Sequence, residues 1–181
     1  HLLFVNLVMD GLGALMLGNE PAREKYMEER PRRRDENIVD RAMLVQILFM
    51  GGWLTAVSFV FLKHPYFRGM FESDAQHLTA YFVLFILSAL FNGFNVRDEG
   101  YSVFSGLGEN RAFLKVFFSI VLVQSAIVNA AMIPLDTFGW ISRMFSCIPF
   151  GIAGWIAVIL LAATMVPADL VRKWVFRPVS R

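Results

Sequence analysis

Apolar residues in this chain come in blocks, and the length of the blocks is what most constrains its fold. Runs occupy 42–62, 78–94, 112–133 and 148–168, with a shorter one at 2–18. A helix crossing a hydrocarbon layer of about 30 Å needs about 20 apolar residues. Inside lipid every backbone N–H and C=O must find its partner within the segment, which a helix achieves. The expected fold is therefore an all-α membrane protein, a single domain built as a bundle of five transmembrane helices. Their expected spans are about 1–18, 42–62, 78–95, 112–133 and 148–168. Composition agrees, since 56% of the 181 residues are hydrophobic. No cleavage pattern follows the first run, which argues against a signal peptide. The lone cysteine, Cys147, excludes an intrachain disulfide framework and a cysteine-based metal site.

Charge distribution orients the bundle. Segment 19–41 carries seven Lys or Arg residues, segment 95–115 carries three and the tail 169–181 carries four. Consecutive spans alternate, so these three segments share one side. The opposite side holds only Lys63, Arg68 and Arg143. Positive residues mark the cytoplasmic face. The N-terminus is expected outside, with loops 19–41 and 96–111 and the tail 169–181 in the cytoplasm. The Arg32-Arg33-Arg34 run serves topology, docking to a cytoplasmic partner or anionic lipid. Its interleaving with Glu24, Glu28, Glu29, Asp35 and Glu36 argues against nucleic acid as a partner. His64 and His77 are thirteen apart with no ligand pattern between them.

Chemistry concentrates at the start of the chain, in Phe4-Val5-Asn6-Leu7-Val8-Met9-Asp10-Gly11. Asn6 and Asp10 are four apart, which on a regular helix places them on one face. A carboxylate at membrane depth costs roughly 2.5–3.5 kcal/mol on insertion scales and marks a functional site by default. An amide carbonyl beside a carboxylate is hard oxygen chemistry, suited to Ca²⁺ or a similar cation. The competing reading is an Asp that reaches the interface beside an interhelical Asn bond. Gly11, Gly13 and Gly18 weaken the same helix. They permit either local unwinding, which frees carbonyls as ligands, or close helix packing. Further along, Asn92 and Asn95 cap the third span and bond to neighbours, while Gln124 and Asn129 act within the fourth as interhelical glue or as pathway lining.

The run from Val5 to Leu12 closely resembles the sixth membrane helix of P-type calcium-transporting ATPases. Glu20-Pro21 and the stretch leading to Ile38-Val39-Asp40-Arg41 resemble the loop that follows it. Leu90-Phe91-Asn92-Gly93-Phe94-Asn95-Val96-Arg97 resembles the end of the eighth helix. The resemblance covers nearly the whole chain, as helices six to ten. It implies that Asn6 and Asp10 are metal ligands for transported Ca²⁺, whereas sodium/potassium pumps carry Asp at the position of Asn6. Met9 stands where the endoplasmic-reticulum type has Thr, and a thioether is a poor ligand for a hard cation. Ala89 stands where that type has a ligand carboxylate. Both departures resemble the plasma-membrane type, and they imply one Ca²⁺ per cycle and a multi-pass protein of the plasma membrane or an equivalent cell membrane.

The phosphorylation sequence Asp-Lys-Thr-Gly-Thr is absent from these 181 residues. The chain is thus expected to be a piece of an ATP-driven pump, itself an ATPase only as part of the whole. ATP and Mg²⁺ would bind domains outside it, and its partners would be helices one to five, the cytoplasmic domains and the lipid bilayer. Two alternatives stay open at this point. One is a free-standing, non-catalytic five-helix protein that partners or regulates a transporter. The other is a pump for Mn²⁺ or Na⁺.

Overall fold

A computed structural model describes residues 3, 6, 7, 11, 13–18, 39–97, 108, 110–132 and 139–176. In chain order the helices are α1 (Gly13–Gly18), α2 (Arg41–Lys63), α3 (Pro65–Arg68), α4 (Asp74–Arg97), α5 (Arg111–Asn129), α6 (Gly139–Met144), α7 (Ile152–Ala163) and α8 (Met165–Val175). A 3₁₀ turn, Ala130–Met132, follows α5. No strand occurs among the described residues. Four stretches there are long and apolar enough to cross a membrane: α2, α4, α5 and the α7–α8 run, Ile152–Val175. The expected first span falls largely outside the described residues.

Helix starts follow local capping chemistry. The Asp40 carboxylate accepts from the Met43 N–H at 2.7 Å and starts α2. Asn110 does the same for α5, its Oδ1 accepting from the Phe113 N–H at 2.9 Å. Each such cap is worth about 1 kcal/mol. Pro65 ends α2 by holding His64 extended, at φ −73° and ψ 127°. The His64 ring then accepts from the Tyr66 N–H and starts α3.

α4 is the centre of the bundle. It packs against α7, α2, α8, α5 and α1, and Val83, Leu84, Ile86 and Leu90 are all fully buried. At one end Phe94 meets Phe113 and Phe117 of α5 at centroid distances of 4.9 and 5.0 Å. Near-perpendicular rings at this spacing add about 0.5–1.5 kcal/mol beyond area burial. The Arg97 guanidinium lies 4.9 Å from the centre of the Phe113 ring, within cation–π range. At the other end Phe61, Phe71, His77 and Phe150 cluster. His77 stacks on Phe71 at 5.2 Å, and its Nε2 donates to the Phe61 carbonyl at 2.9 Å. Gly154 of α7 enters this cluster so closely that a Cβ there would sit 2.8 Å from both Phe71 and Phe150.

The ends of several elements differ from the sequence expectation, for identifiable reasons. α4 begins at Asp74 rather than 78, and α5 turns 3₁₀ at Ala130. The last span starts at Ile152 rather than 148. Pro149 has no N–H to give a helix, and the strap before α7 bonds to α4 instead. The Ile148 N–H donates to Thr79 Oγ1 at 3.1 Å, and Gln76 Nε2 donates to the Pro149 carbonyl at 3.0 Å. Ser146, at φ 52°, takes the left-handed turn that admits the strap.

That span then breaks at Thr164. Pro167 cannot donate to the Ala163 carbonyl four residues back, so the backbone tightens and α8 restarts. Thr164 Oγ1 accepts from the Trp53 indole of α2 at 3.1 Å. Helix continues past the expected end at 168, where its charges pair with one another. Asp169, wholly buried, meets Arg172 at 2.7 Å and Lys173 at 3.0 Å.

Candidate ion-binding site

Of the two ligands expected from the sequence, Asn6 is described and Asp10 lies outside the described residues. Asn6 has helical backbone and is exposed. Leu7, beside it, and Gly11 carry the wider π-helical backbone, before α1 resumes regular turns at Gly13. Such widened turns occur mostly inside α-helices and often at functional sites, because they displace carbonyls from the regular ladder. The backbone at Leu7 and Gly11 departs from the regular α-helix on which a four-residue spacing keeps two residues on one face.

A Cβ placed on Gly11 or Gly18 would meet nothing within 4 Å. Among the described residues, then, no neighbour requires glycine at either position. Lower down, α1 packs against α5 and α4, which anchors the irregular segment to the centre of the bundle.

Elsewhere the buried polar groups are mainly structural. Asn95 Nδ2 donates to the Met165 carbonyl of α8 at 2.9 Å and to Asn92 Oδ1 at 3.0 Å. This ties the end of α4 to the restart after the Thr164 break. Asn129 turns back on its own helix, donating to the Ser125 carbonyl. Gln124 is buried and makes no hydrogen bond. Neither makes a direct interhelical hydrogen bond among the described residues. The buried Asp169 cluster lies within the expected cytoplasmic tail, 169–181, and the i, i+3 and i, i+4 spacing of its charges is the signal for it in the sequence. No group of three or more His, Cys, Asp or Glu residues positioned for a metal occurs among the described residues.

Burial pushes the Cys147 thiol, in the strap before α7, up to about 11. A thiol is nucleophilic only as thiolate, so this one is inert near neutrality.

Apolar membrane-length helices packed around one central helix, with amide and carboxylate groups set among them, define an all-α membrane domain. Residues 1–175 match the family described as "Cation transporting ATPase, C-terminus", and the chain belongs to that family. It is 28% identical to plasma membrane calcium-transporting ATPase mca-1 of Caenorhabditis elegans, over 89% of the chain and 13% of that protein. It is 30% identical to human plasma membrane calcium-transporting ATPase 4, over 86% of the chain and 13% of that protein. With the probable calcium-transporting ATPase 6, plasma membrane-type, of Oryza sativa subsp. japonica it shares 32% identity, over 82% of the chain and 17% of that protein. The chain thus spans less than a fifth of the length of these relatives.

Proposed function

We propose that this chain is the C-terminal membrane portion of an ATP-driven pump that carries Ca²⁺ out of the cytoplasm across the plasma membrane. Asn6 and Asp10 supply ligands for the ion. The observation that carries the reading is the distorted helix at Leu7 and Gly11, in a family whose cited relatives are calcium-transporting ATPases. Asn6 contributes a neutral carbonyl oxygen and Asp10 a charged one. Calcium takes six to eight oxygens, so helices outside this chain complete the shell. The exposure of Asn6 leaves room for them.

Energy enters from domains outside the chain, which bind ATP and Mg²⁺ and form the phosphorylated intermediate. Their movement, passed through the loop 19–41, reshapes the distorted helix. The site then loses affinity and opens outward. Once the ion leaves, Asp10 takes a proton or a water molecule, because an unpaired buried carboxylate is costly. Met9 and Ala89 contribute no hard oxygen, which supports a stoichiometry of one Ca²⁺ per cycle. The charge asymmetry places the N-terminus outside and the tail 169–181 in the cytoplasm.

The test is phosphorylation of the full-length protein by ATP in the presence of Ca²⁺, Mn²⁺ or Na⁺, for the native protein and Asn6→Ala. The reading predicts Ca²⁺-dependent phosphoenzyme whose half-saturating Ca²⁺ rises at least about tenfold in the variant, the equivalent of losing one ligand worth about 1.4 kcal/mol. Phosphorylation driven by Na⁺ alone would reassign the ion. Absence of phosphoenzyme with every cation would leave a non-catalytic membrane partner.

A further inference from the structure

The Gln124 side chain is 1% exposed, yet both its amide oxygen and its amide nitrogen lack a hydrogen-bond partner. It stands in the middle of the buried stripe of α5, with Phe117 and Ile120 before it and Ile127 and Val128 after it. Several other polar side chains in this bundle avoid that state. Thr55, Thr79 and Asn129 each bond a carbonyl one turn back on their own helix. Ser88 of α4 is the exception that matters, since its hydroxyl is fully buried and also unpartnered. Phe94 packs on Phe113 and Phe117, and Phe91 packs on Phe117. α4 and α5 therefore run antiparallel. Carried on at about 1.5 Å per residue, this register brings Gln124 and Ser88 to within about one helical turn in depth.

The chemistry of the orphaned atoms selects the ligand. A cation would satisfy the amide oxygen but confront the N–H₂ donors. An anion would satisfy the donors and repel the oxygen. Apolar packing would leave both ends unpaired, at a cost that folded proteins rarely accept. Water donates and accepts, and buried waters usually make about three hydrogen bonds to otherwise unpaired groups. We propose that Gln124 holds an internal water molecule at the α4–α5 interface, in a polar layer at the depth of Ser88. The site would give the contact between these helices a hydrogen-bonded joint within an otherwise apolar seam.

The test is X-ray hydroxyl-radical footprinting of the full-length protein in lipid nanodiscs, where radicals generated from a bound water label the side chains beside it. Ile120 and Val158 are both fully buried, at 1% and 0% exposure, so exposure to bulk solvent does not separate them. Labelling of Ile120 severalfold faster than Val158, with the excess lost in Gln124→Leu, is the expected result. Equal labelling of Ile120 and Val158 in the native protein would overturn the proposal, whether or not the variant folds. So would a high-resolution map showing the Gln124 amide bonded at both ends to protein groups from the rest of the pump.

Discussion

α2 and α4 are nearly the same length, and both are apolar enough to span a bilayer, yet they occupy opposite situations. α4 buries most of its residues, whereas α2 buries only Met50 and Phe61. Trp53, Phe59, Ile47 and Leu48 of α2 face outward. In water such a surface would drive association; in lipid it has no reason to, because the tails are as apolar as leucine. Burial in this bundle is accordingly decided by what can pack closely or bond across. α4 offers Thr79 to the strap and Asn95 to α8. α2 offers the Trp53 indole to Thr164, the Phe61 carbonyl to His77 and a short apolar contact with α8.

The contrast can be broken most directly at its centre. Phe94→Ala removes a ring packed on Phe91, Phe113 and Phe117 and should cost about 3–5 kcal/mol, read as unfolding of the full-length protein in detergent–denaturant titrations. A change under 1 kcal/mol would mean that α4 is not the hub. Asp169→Asn removes the buried carboxylate that pairs with Arg172 and Lys173 on α8 and is expected to cost a similar ~3–5 kcal/mol; stability equal to the native protein would show that the cluster is hydrated in the membrane.

Glycine substitutions sharpen the comparison in opposite directions. Gly154→Ala forces a methyl into Phe71 and Phe150 and should cost about 1–3 kcal/mol. Gly51→Ala on α2 meets open space and should be neutral or stabilising, by up to about 1 kcal/mol, from helix propensity. Matching effects at the two positions would contradict the assigned packing. Trp53→Phe, which deletes the bond to Thr164, is expected to cost only about 0.6 kcal/mol.

A last check concerns pH. The Cys147 thiol is raised from 9.0 to about 11, so the folded state favours the neutral form. Its contribution is fully present below pH 9 and fades as pH rises toward 11. Maleimide labelling of the folded protein should be slow at pH 8 and accelerate above pH 10. Rapid labelling at pH 7 would place the thiol in water.

Much of this organisation is legible from residues. The blocks of apolar sequence mark α2, α4, α5 and the last span because lipid imposes a minimum length that few other folds need. The Asn6–Asp10 motif stands out because polar groups are expensive inside such a block. Packing partners are not legible, since lipid and protein interior select the same side chains and the period that separates inside from outside in soluble helices is weak. Gln124 and Asn129 read alike as amides in an apolar span, yet one turns back on its helix and the other stays unpaired. The Asp169 cluster was hidden for a related reason. Its charges look like the end of a span until their mutual spacing is seen to pair them. The break at Thr164 follows from Pro167, a signal present in the sequence, whereas the bonds of Trp53 to Thr164 Oγ1 and of Asn95 to the Met165 carbonyl beside it are not legible there.

The most direct test of the account is equilibrium ⁴⁵Ca²⁺ binding to the full-length protein, native and Asp10→Asn, with ATP withheld. The account predicts one high-affinity Ca²⁺ per phosphorylation site in the native protein and none in the variant. Undiminished binding by Asp10→Asn would remove the first helix from the transport site and contradict the proposed function of this chain.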